Sequence, residues 1–542
     1  MVDGNALWSP EIIKSMEKRQ ISDVKEIETF SGMPENLYEA LKKTASLYPK
    51  KTALVDDRGN AYTYRHLLTR SQELAAYLYG ERKIQKGSHV GILLYNSVEY
   101  CTAFLALIRL EAVAVPLPGK FKQAEVLPLA ERAEAELVIC DETYGDWFKG
   151  IYSEEQLLIV SGTGTRYGYD EVYRNWMSHG ADAAEVNKLP SGNSGSTALI
   201  MFTSGTTSRS KALQIKNYNI MHAVEAYRRI LHITEKDRSV IATPIYHITG
   251  LVALLGLFVY TGGTLHLHKY FDAKRVIADA VTYGFTFLHA SPTVFQLLLQ
   301  AGEHTPAIPS LVSFACGSGN MPKDRLLCLH RWLPDSQFHT VYGLTETTSP
   351  AAIFPDDAAE SRHIGSSGLP IPGIRFKIVD EDKQEIPWGQ VGEIAVSGSV
   401  VLDSYYKQES DSLAGGWLYT GDLGYFDEEN YLYVVDRKKD MINRGGEKIW
   451  CYDVENAIVG MEEVLDAAVV GIPDELYGEA AAAVVQLKKE SGLTEEKIRQ
   501  YLYGRMAKYK VPVKIRMVET VPKTPNGKTD KISIRKMLME DR

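Results

Sequence analysis

Short apolar runs alternate with longer amphipathic ones through roughly the first 350 residues. Over 89–116 the order is HVGILLY, VEYCTAFLALIRL and AVAVPL, which reads as strand, helix, strand. A unit of the same kind recurs at 238–268, as RSVIATP, an apolar helix and GGTLHLH. A third comprises TFLHASP, a helix near 293–301 and LVSFACGSG. Repeated strand–helix–strand alternation predicts parallel sheet. From 373 the pattern changes. GIRFKIVD, GEIAVSG and NYLYVVD are short strands between Gly and Asp turns, which predicts a small β-rich subdomain. A charged segment, DRKKDMINRGGEK, occupies 436–448. Behind it come a helix at 453–459, the strands AAVVGIP and AAAVVQL, a helix near 494–507 and a basic tail. The expected fold class is therefore α/β. A large N-terminal domain, 1–435, combines α/β subdomains with the small β-rich subdomain, and a small α+β C-terminal domain spans 436–542.

Composition narrows the class. At 542 residues the chain is too long for one core. A net charge of −9 argues against nucleic acid as a partner. The five cysteines, at 101, 140, 316, 328 and 451, form no CxxC pair and are odd in number, so no disulfide framework is expected. The first residues lack the apolar stretch of a signal peptide. The longest apolar run, LVALLGLFVY at 251–260, is too short to span a bilayer and reads as a buried helix. A cytoplasmic protein with no membrane span is expected.

One loop raises a chemical question. SGTTSRSK, at 204–211, follows the apolar run ALIMF. Hydroxyls, free backbone N–H groups and one lysine suit a polyphosphate, although a solvated Ser/Thr turn would look the same. It is not a Walker A loop, because Ser210 precedes Lys211 and Ala212 follows it. Extended by one residue, TSGTTSRSK resembles the T-S-G-T-T-G-x-P-K loop of the acyl-adenylate-forming superfamily, which includes acyl-CoA synthetases, adenylation domains and luciferases. Four further segments resemble motifs of that family, in its order. They are VYGLTET at 341–347, YTGD at 419–422, DRKKDMINRGGEKI at 436–449 and PKTPNGKTDK at 522–531. The likeness runs from about 50 to 531. Each motif alone is weak, but five in order are specific.

The resemblance implies an AMP-forming acid–CoA ligase that uses ATP, Mg²⁺ and coenzyme A on a fatty or aryl acid. It implies that Thr203, Ser204, Gly205, Thr206, Thr207 and Lys211 hold the β- and γ-phosphates. Gly317, Ser318 and Gly319, in CGSGNMP, would run along the adenine; Pro322 rules out a Rossmann fingerprint there. Tyr342 would stack on adenine, with Gly343 beside it. Thr345 would donate to the α-phosphate and Glu346 would hold Mg²⁺; otherwise this segment is a capped helix start with Thr345 as the cap. Asp422 and Arg437 would hold the ribose, an ordinary turn being the alternative for Asp422. Lys528 would bridge the carboxylate and the α-phosphate. On local grounds alone a solvated lysine among Lys523, Lys531 and Lys536 would be the better reading; Gly527 before it and the other motifs turn the balance. Asp436 falls at the family's hinge, about which the small domain moves between half-reactions. Gly445 and Gly446 would line a thiol tunnel or simply make a hairpin turn. His247, in PIYHITGL, would gate the acyl pocket. That segment has no Asp of the kind amino-acid adenylation domains carry, which disfavours an amino-acid substrate. His266 and His268 read as structural, since no third ligand is near in sequence.

Four positions depart from the family pattern: Ser208 for Gly, Ser210 for Pro, Ala212 for Gly, and Cys451 where proline is common. Rival readings are acyl transfer to a carrier-protein phosphopantetheine and a nucleotide-binding scaffold without turnover. The intact Lys528 and Glu346 count against the scaffold. A serine hydrolase is disfavoured because no G-x-S-x-G is present.

Overall fold

The computed structural model describes residues 1–22, 25–160, 192–203, 210–319, 321–489, 491–524 and 528–540. The three expected strand–helix–strand units each seed a sheet. The first sheet has the order Ala212–Lys216, Thr197–Phe202, Val113–Pro116, His89–Leu93, Leu137–Asp141, Leu157–Val160, and is parallel except at its Ala212–Lys216 edge. The second runs Arg238–Ile241, Thr264–Leu267 and Thr52–Val55 in parallel, with Ala61–Thr63 antiparallel. The third sets Phe287–Ala290, Ser313–Cys316 and Gln337–Tyr342 in parallel, then Ala352–Ile353 and Leu369–Pro370 antiparallel. The Thr286 N–H donates to the Arg238 carbonyl at 2.8 Å and joins the second sheet to the third.

Helices cover these sheets closely. Helix Val98–Arg109 starts where the Ser97 hydroxyl accepts from the Tyr100 N–H, and it is buried on all sides. The apolar run 251–260 is also a buried helix. It is wound with π spacing over Thr249–Gly256, continues as Leu257–Thr261 and ends at Gly262, whose φ is 89°. One buried amide ties this layer together. Asn96 Nδ2 donates to the carbonyls of Ile241, Thr243 and His268 at 3.2, 2.9 and 2.9 Å, and its Oδ1 accepts from Ile245 N at 2.8 Å. Both of its N–H groups and its carbonyl oxygen are engaged, so the strand ends of the first and second sheets are fixed to each other. The loop carrying His247 is held at that junction.

The β-rich subdomain is antiparallel, in the order Val2–Asp3, Ile374–Val379, Gly392–Gly398, Trp417–Phe426, Leu413–Ala414, with Leu432–Arg437 also on Trp417–Phe426. Sequence reading did not anticipate that the N-terminus supplies an edge strand, nor the hairpin Met16–Ser22 with Lys25–Phe30.

The C-terminal sheet orders Glu447–Ile449, Ile442–Arg444, Gly478–Leu487 and Val464–Asp474, with Lys514–Val518 parallel to Gly478–Leu487. Two expectations are corrected here. The helix near 494–507 is Glu495–Tyr503, and it stops at Gly504. The basic tail is structured: after Lys514–Val518 comes the helix Lys531–Glu540, whose Ile534 and Leu538 are buried against Ala468, Val470 and Ile472. These two apolar residues, four apart, make one helix face, and the charges around them hid it. The domain packs on the helices Pro292–Gly302 and Lys323–Trp332. Gln296 Nε2 donates to the Leu465 carbonyl and Arg325 to the Val464 carbonyl.

Candidate active site

The strand Gln337–Tyr342 ends at a turn that only glycine can make. A Cβ on Gly343 would stand 1.5 Å from the Ser349 carbonyl oxygen. The chain then forms the single turn Thr345–Thr347 and leaves it through Thr348 and Ser349, at φ 53° and 95°. Such angles are strained for residues with a side chain and persist only where the surroundings impose them. Here the Thr348 hydroxyl donates to the Val400 carbonyl at 2.8 Å, and Ser349 Oγ pairs with the Tyr227 hydroxyl at 2.9 Å. The Leu402 N–H donates to the Glu346 carbonyl at 3.0 Å. Leu344 stands at the cap position of this turn, and the Thr347 hydroxyl accepts from its N–H at 2.8 Å, so Thr345 is not the capping residue.

Three expected residues meet next to this turn. The Tyr342 hydroxyl donates to Asp422 Oδ2 at 2.9 Å, and Arg437 Nε lies 3.2 Å from Asp422 Oδ1. Asp422 and Arg437 face each other in antiparallel register, so the backbone sets their pairing. The Thr420 hydroxyl accepts from the Asp422 N–H at 3.1 Å and completes the turn. Burial raises the Asp422 pKa, against the pull of Arg437, the Tyr342 hydroxyl and Lys528. Burial likewise raises that of Glu346, against its own backbone N–H, Arg437 and Lys528.

Lys528 comes to this centre from the other domain. The Thr524 N–H donates to the Lys528 carbonyl at 2.7 Å, and the Lys528 N–H to the Thr524 hydroxyl at 3.2 Å. Nearby, Lys523 pairs with Asp466 Oδ2 at 2.7 Å. The residue is exposed as a whole, yet protein around its ammonium lowers its pKa, with Arg437 adding to the effect and Asp422 and Glu346 opposing it. Its neighbours in sequence are occupied elsewhere: Lys531 lies 3.5 Å from Glu455 Oε1 and Lys536 lies 3.7 Å from Glu540 Oε1.

Gly317, Ser318 and Gly319 follow the strand Ser313–Cys316, with Ser318 at φ 68°. A Cβ on Gly317 would lie 3.4 Å from both His289 Nε2 and the Val341 carbonyl. His247 lies two residues before the buried π-wound helix Thr249–Gly256. Its pKa is pushed down to about 3 by burial, by Lys528 and by Lys120, so the ring is neutral; its Nε2 has no partner among the described residues. Lys211 is held at the base of its loop. Thr203 N donates to the Lys211 carbonyl at 3.0 Å, and the Lys211 ammonium donates to Ser410 Oγ at 2.6 Å. Ser204, Gly205, Thr206 and Thr207 lie outside the described residues, as does the departure Ser208.

Two expected residues are not brought to this centre. Gly445 and Gly446 form the exposed tip of the hairpin Ile442–Arg444 and Glu447–Ile449, at φ 61° and 95°, beside Tyr477. Positive φ at both positions fits a type I′ turn. Asp436 lies on the strand Leu432–Arg437, opposite Leu423. His266 packs on Tyr283 and Phe285, and His268 Nε2 is 2.8 Å from Asp279 Oδ2, so both are structural.

Sequence reading missed several neighbours. Ser410, Ser412 and Tyr405 form a hydroxyl chain at 2.7 and 2.9 Å that ends on Lys211, and the Tyr405 ring lies 5.0 Å from that ammonium. The segment carrying them pairs with the strand Ala212–Lys216, through Tyr406 N to the Ala212 carbonyl at 2.8 Å. Its one signal was the run of Ser and Tyr over 404–412. Lys120 and His289 carried no local signal at all.

Glu346 suits Mg²⁺ in only one way. Among the described residues no group of three or more His, Cys, Asp or Glu side chains could hold a metal. A single buried carboxylate fits an ion held mainly by polyphosphate oxygens and water, as Mg²⁺ usually is. Among the described residues no helix is long and apolar enough to cross a membrane.

Comparison with known proteins agrees with this geometry. The AMP-binding enzyme family model matches residues 41–406, and the AMP-binding enzyme C-terminal domain model matches 453–528. A 2–succinylbenzoate–CoA ligase from Bacillus velezensis is 31% identical over 90% of this chain and 95% of that protein. A long-chain-fatty-acid–CoA ligase from Salmonella typhimurium is 27% identical over 91% of this chain and 93% of that one. The o-succinylbenzoate CoA synthetase of Bacillus subtilis, solved with an acyl-adenylate intermediate, superposes with a TM-score of 0.80 at 28% identity, covering 93% of this chain and 98% of that one. The same enzyme has been solved with ATP and a magnesium ion, at a TM-score of 0.77 and 29% identity, covering 92% of this chain and 99% of that one. The chain belongs to the AMP-binding enzyme family and is an acid–CoA ligase of the AMP-forming type.

Proposed function

We propose that Lys528, Thr345, Glu346, Asp422 and Arg437 form the adenylate-forming centre of this ligase, and that its substrate is a fatty or aryl carboxylic acid. What supports this reading is that the Lys528 ammonium, in the C-terminal domain, lies near enough for its charge to act on Glu346, Asp422 and His247 of the large domain, while Asp422 is held by Tyr342 and Arg437. In the first half-reaction a carboxylate oxygen attacks the α-phosphorus of ATP. The bond to pyrophosphate breaks and an acyl-adenylate forms. One anion is attacking another, so the barrier is charge crowding, and fixed cations and donors are what lower it. Lys528 supplies an ammonium between the two anions, Thr345 a hydroxyl toward the α-phosphate, and Asp422 with Arg437 a fixed seat for the ribose. Mg²⁺, when bound through the phosphates and Glu346, neutralises phosphate charge.

In the second half-reaction the sulfur of coenzyme A attacks the acyl carbon and AMP leaves. The small domain, 436–542, then turns about Asp436, withdrawing Lys528 and bringing the Gly445–Gly446 tip to the thiol path. The exposure of that tip, at the turn of its hairpin, supports this reading. His247, neutral and unpartnered at Nε2, borders the acyl pocket.

The test is pyrophosphate release across fatty, aryl and amino acids, with and without coenzyme A. Acid-dependent release that coenzyme A accelerates, with thioester formed, is expected for a fatty or aryl acid. Adenylate without thioester would move the acceptor to a carrier-protein phosphopantetheine. Release with amino acids alone would overturn the substrate class.

A further inference from the structure

We propose that the main-chain N–H of Cys451, bonded to the Asp436 carboxylate, is a latch that holds the small domain in the orientation delivering Lys528. This rests on the reading of Asp436 as the pivot. Asp436 Oδ2 accepts from the Cys451 N–H at 2.6 Å in a buried setting, and its Oδ1 accepts from the Arg437 N–H at 2.7 Å. Cys451 opens the helix Cys451–Val459, and the residue before it, Trp450, gives that helix no side-chain cap. Asp436 therefore does the capping from 15 residues away, placing a carboxylate against the positive end of the helix. The bond joins the strand that runs through the domain boundary, Leu432–Arg437, to the first helix of the small domain.

Other contacts converge on the same joint. Cys451 Sγ donates to the Asp440 carbonyl at 3.1 Å. Lys531 pairs with Glu455 on that helix and feels Asp436 and Asp440; burial opposes its ammonium, but these carboxylates outweigh it and raise its pKa. Lys531 opens the helix Lys531–Glu540, three residues beyond Lys528, so the joint and the reacting cation share one short stretch of chain. Tyr452, next to Cys451, is half-buried near Cys316 at the start of the adenine loop. A proline at 451, common in the family, would have no N–H to offer, so the latch depends on this chain's own departure.

Two substitutions separate the N–H from the thiol. C451A keeps the N–H and removes the sulfur. C451P removes the N–H; proline fits the first position of a helix, and Trp450, at φ −83° and ψ 114°, already has the extended backbone that proline requires before it. Single-turnover rates of the two half-reactions are read separately, with thioester formation started from supplied acyl-adenylate. C451A should match the wild type in both. C451P should form adenylate about tenfold more slowly, with thioester formation unchanged or faster. Equal adenylation by C451P and C451A would overturn the latch. Should C451P fail to fold, hydrogen exchange of the wild-type Cys451 amide decides: protection with ATP bound, lost on addition of coenzyme A to the adenylate complex, is expected, and equal protection in both states refutes it. If no acid yields adenylate, the proposed substrate reading fails separately; protection of the Cys451 amide with ATP alone still bears on the latch, and its absence refutes it.

Discussion

The Tyr342 hydroxyl is spent on Asp422, 2.9 Å away, so the aromatic residue of the expected adenine contact also holds the expected ribose acceptor. Arg437 holds the other oxygen of that carboxylate. Replacing Tyr342 by Phe keeps the ring and frees one oxygen. The expected result is about fivefold weaker ATP binding, from roughly 1 kcal/mol for the lost hydrogen bond, with little change in acid KM. Calorimetric titration with ATP checks it.

Lys528 is the cation proposed to act in adenylate formation, and its charge is felt by Glu346 and Asp422. K528A should slow adenylate formation by about 10²- to 10³-fold and leave thioester formation from supplied adenylate nearly intact. Because the pKa of Lys528 is lowered, adenylation should also fail at a lower alkaline pH than an ordinary lysine would allow. The sign follows from the ammonium being the active form, lost as pH rises through its folded pKa. A pH profile of the first half-reaction measures this.

Gly343 admits no side chain. G343A would drive a methyl group into the Ser349 carbonyl, and the turn bearing Thr345 and Glu346 would have to move. A loss of about 1–3 kcal/mol in stability is expected, together with a sharp fall in ATP turnover. Unfolding in urea and pyrophosphate release measure the two effects.

Acid should destabilise the protein through its buried imidazoles. His222, between Thr29 and the Pro372 carbonyl, is held at about 4, and His289 at about 3, both chiefly by burial. An unfolded histidine takes a proton near 6.5. Between those values the unfolded chain binds more protons than the native one. The stability from these neutral rings is thus present above about 6.5 and lost as pH falls toward 4, by roughly 1.4 kcal/mol per pH unit for each ring. Asp436 acts in the opposite direction, because burial raises its carboxyl to about 6 against Lys531 and the N–H groups of Arg437 and Cys451, while Glu455 adds to the rise. H222Q should make the pH dependence shallower by about one proton in this range, as read by urea unfolding at pH 6.5 and 4.5.

The α/β units were legible because their strands are continuous apolar runs, and the motif turns were legible because glycine and charge punctuate them. The hairpin Met16–Ser22 with Lys25–Phe30 was missed since MEKRQIS and KEIETF are mostly polar; only alternate side chains, Ile27 among them, turn inward. Helix Lys531–Glu540 was missed because its apolar face is only Ile534 and Leu538. Around the site, Tyr342, Asp422 and Arg437 were named from motifs. Ser410, Lys120 and His289 were not, because they reach the site only through folding that brings distant segments together.

The pairing of Asp422 with Arg437 lies on the strand pair that ends at the pivot. On the proposed reading the nucleotide's sugar sits at the axle of the machine, between Asp422 on the fixed side and Arg437, the first residue past the pivot. An axle barely moves when an arm turns, so the adenylate keeps its grip while the chemistry around it is exchanged. On that reading pyrophosphate would go out before the swing, the thioester after it, and AMP, held at the axle throughout, last.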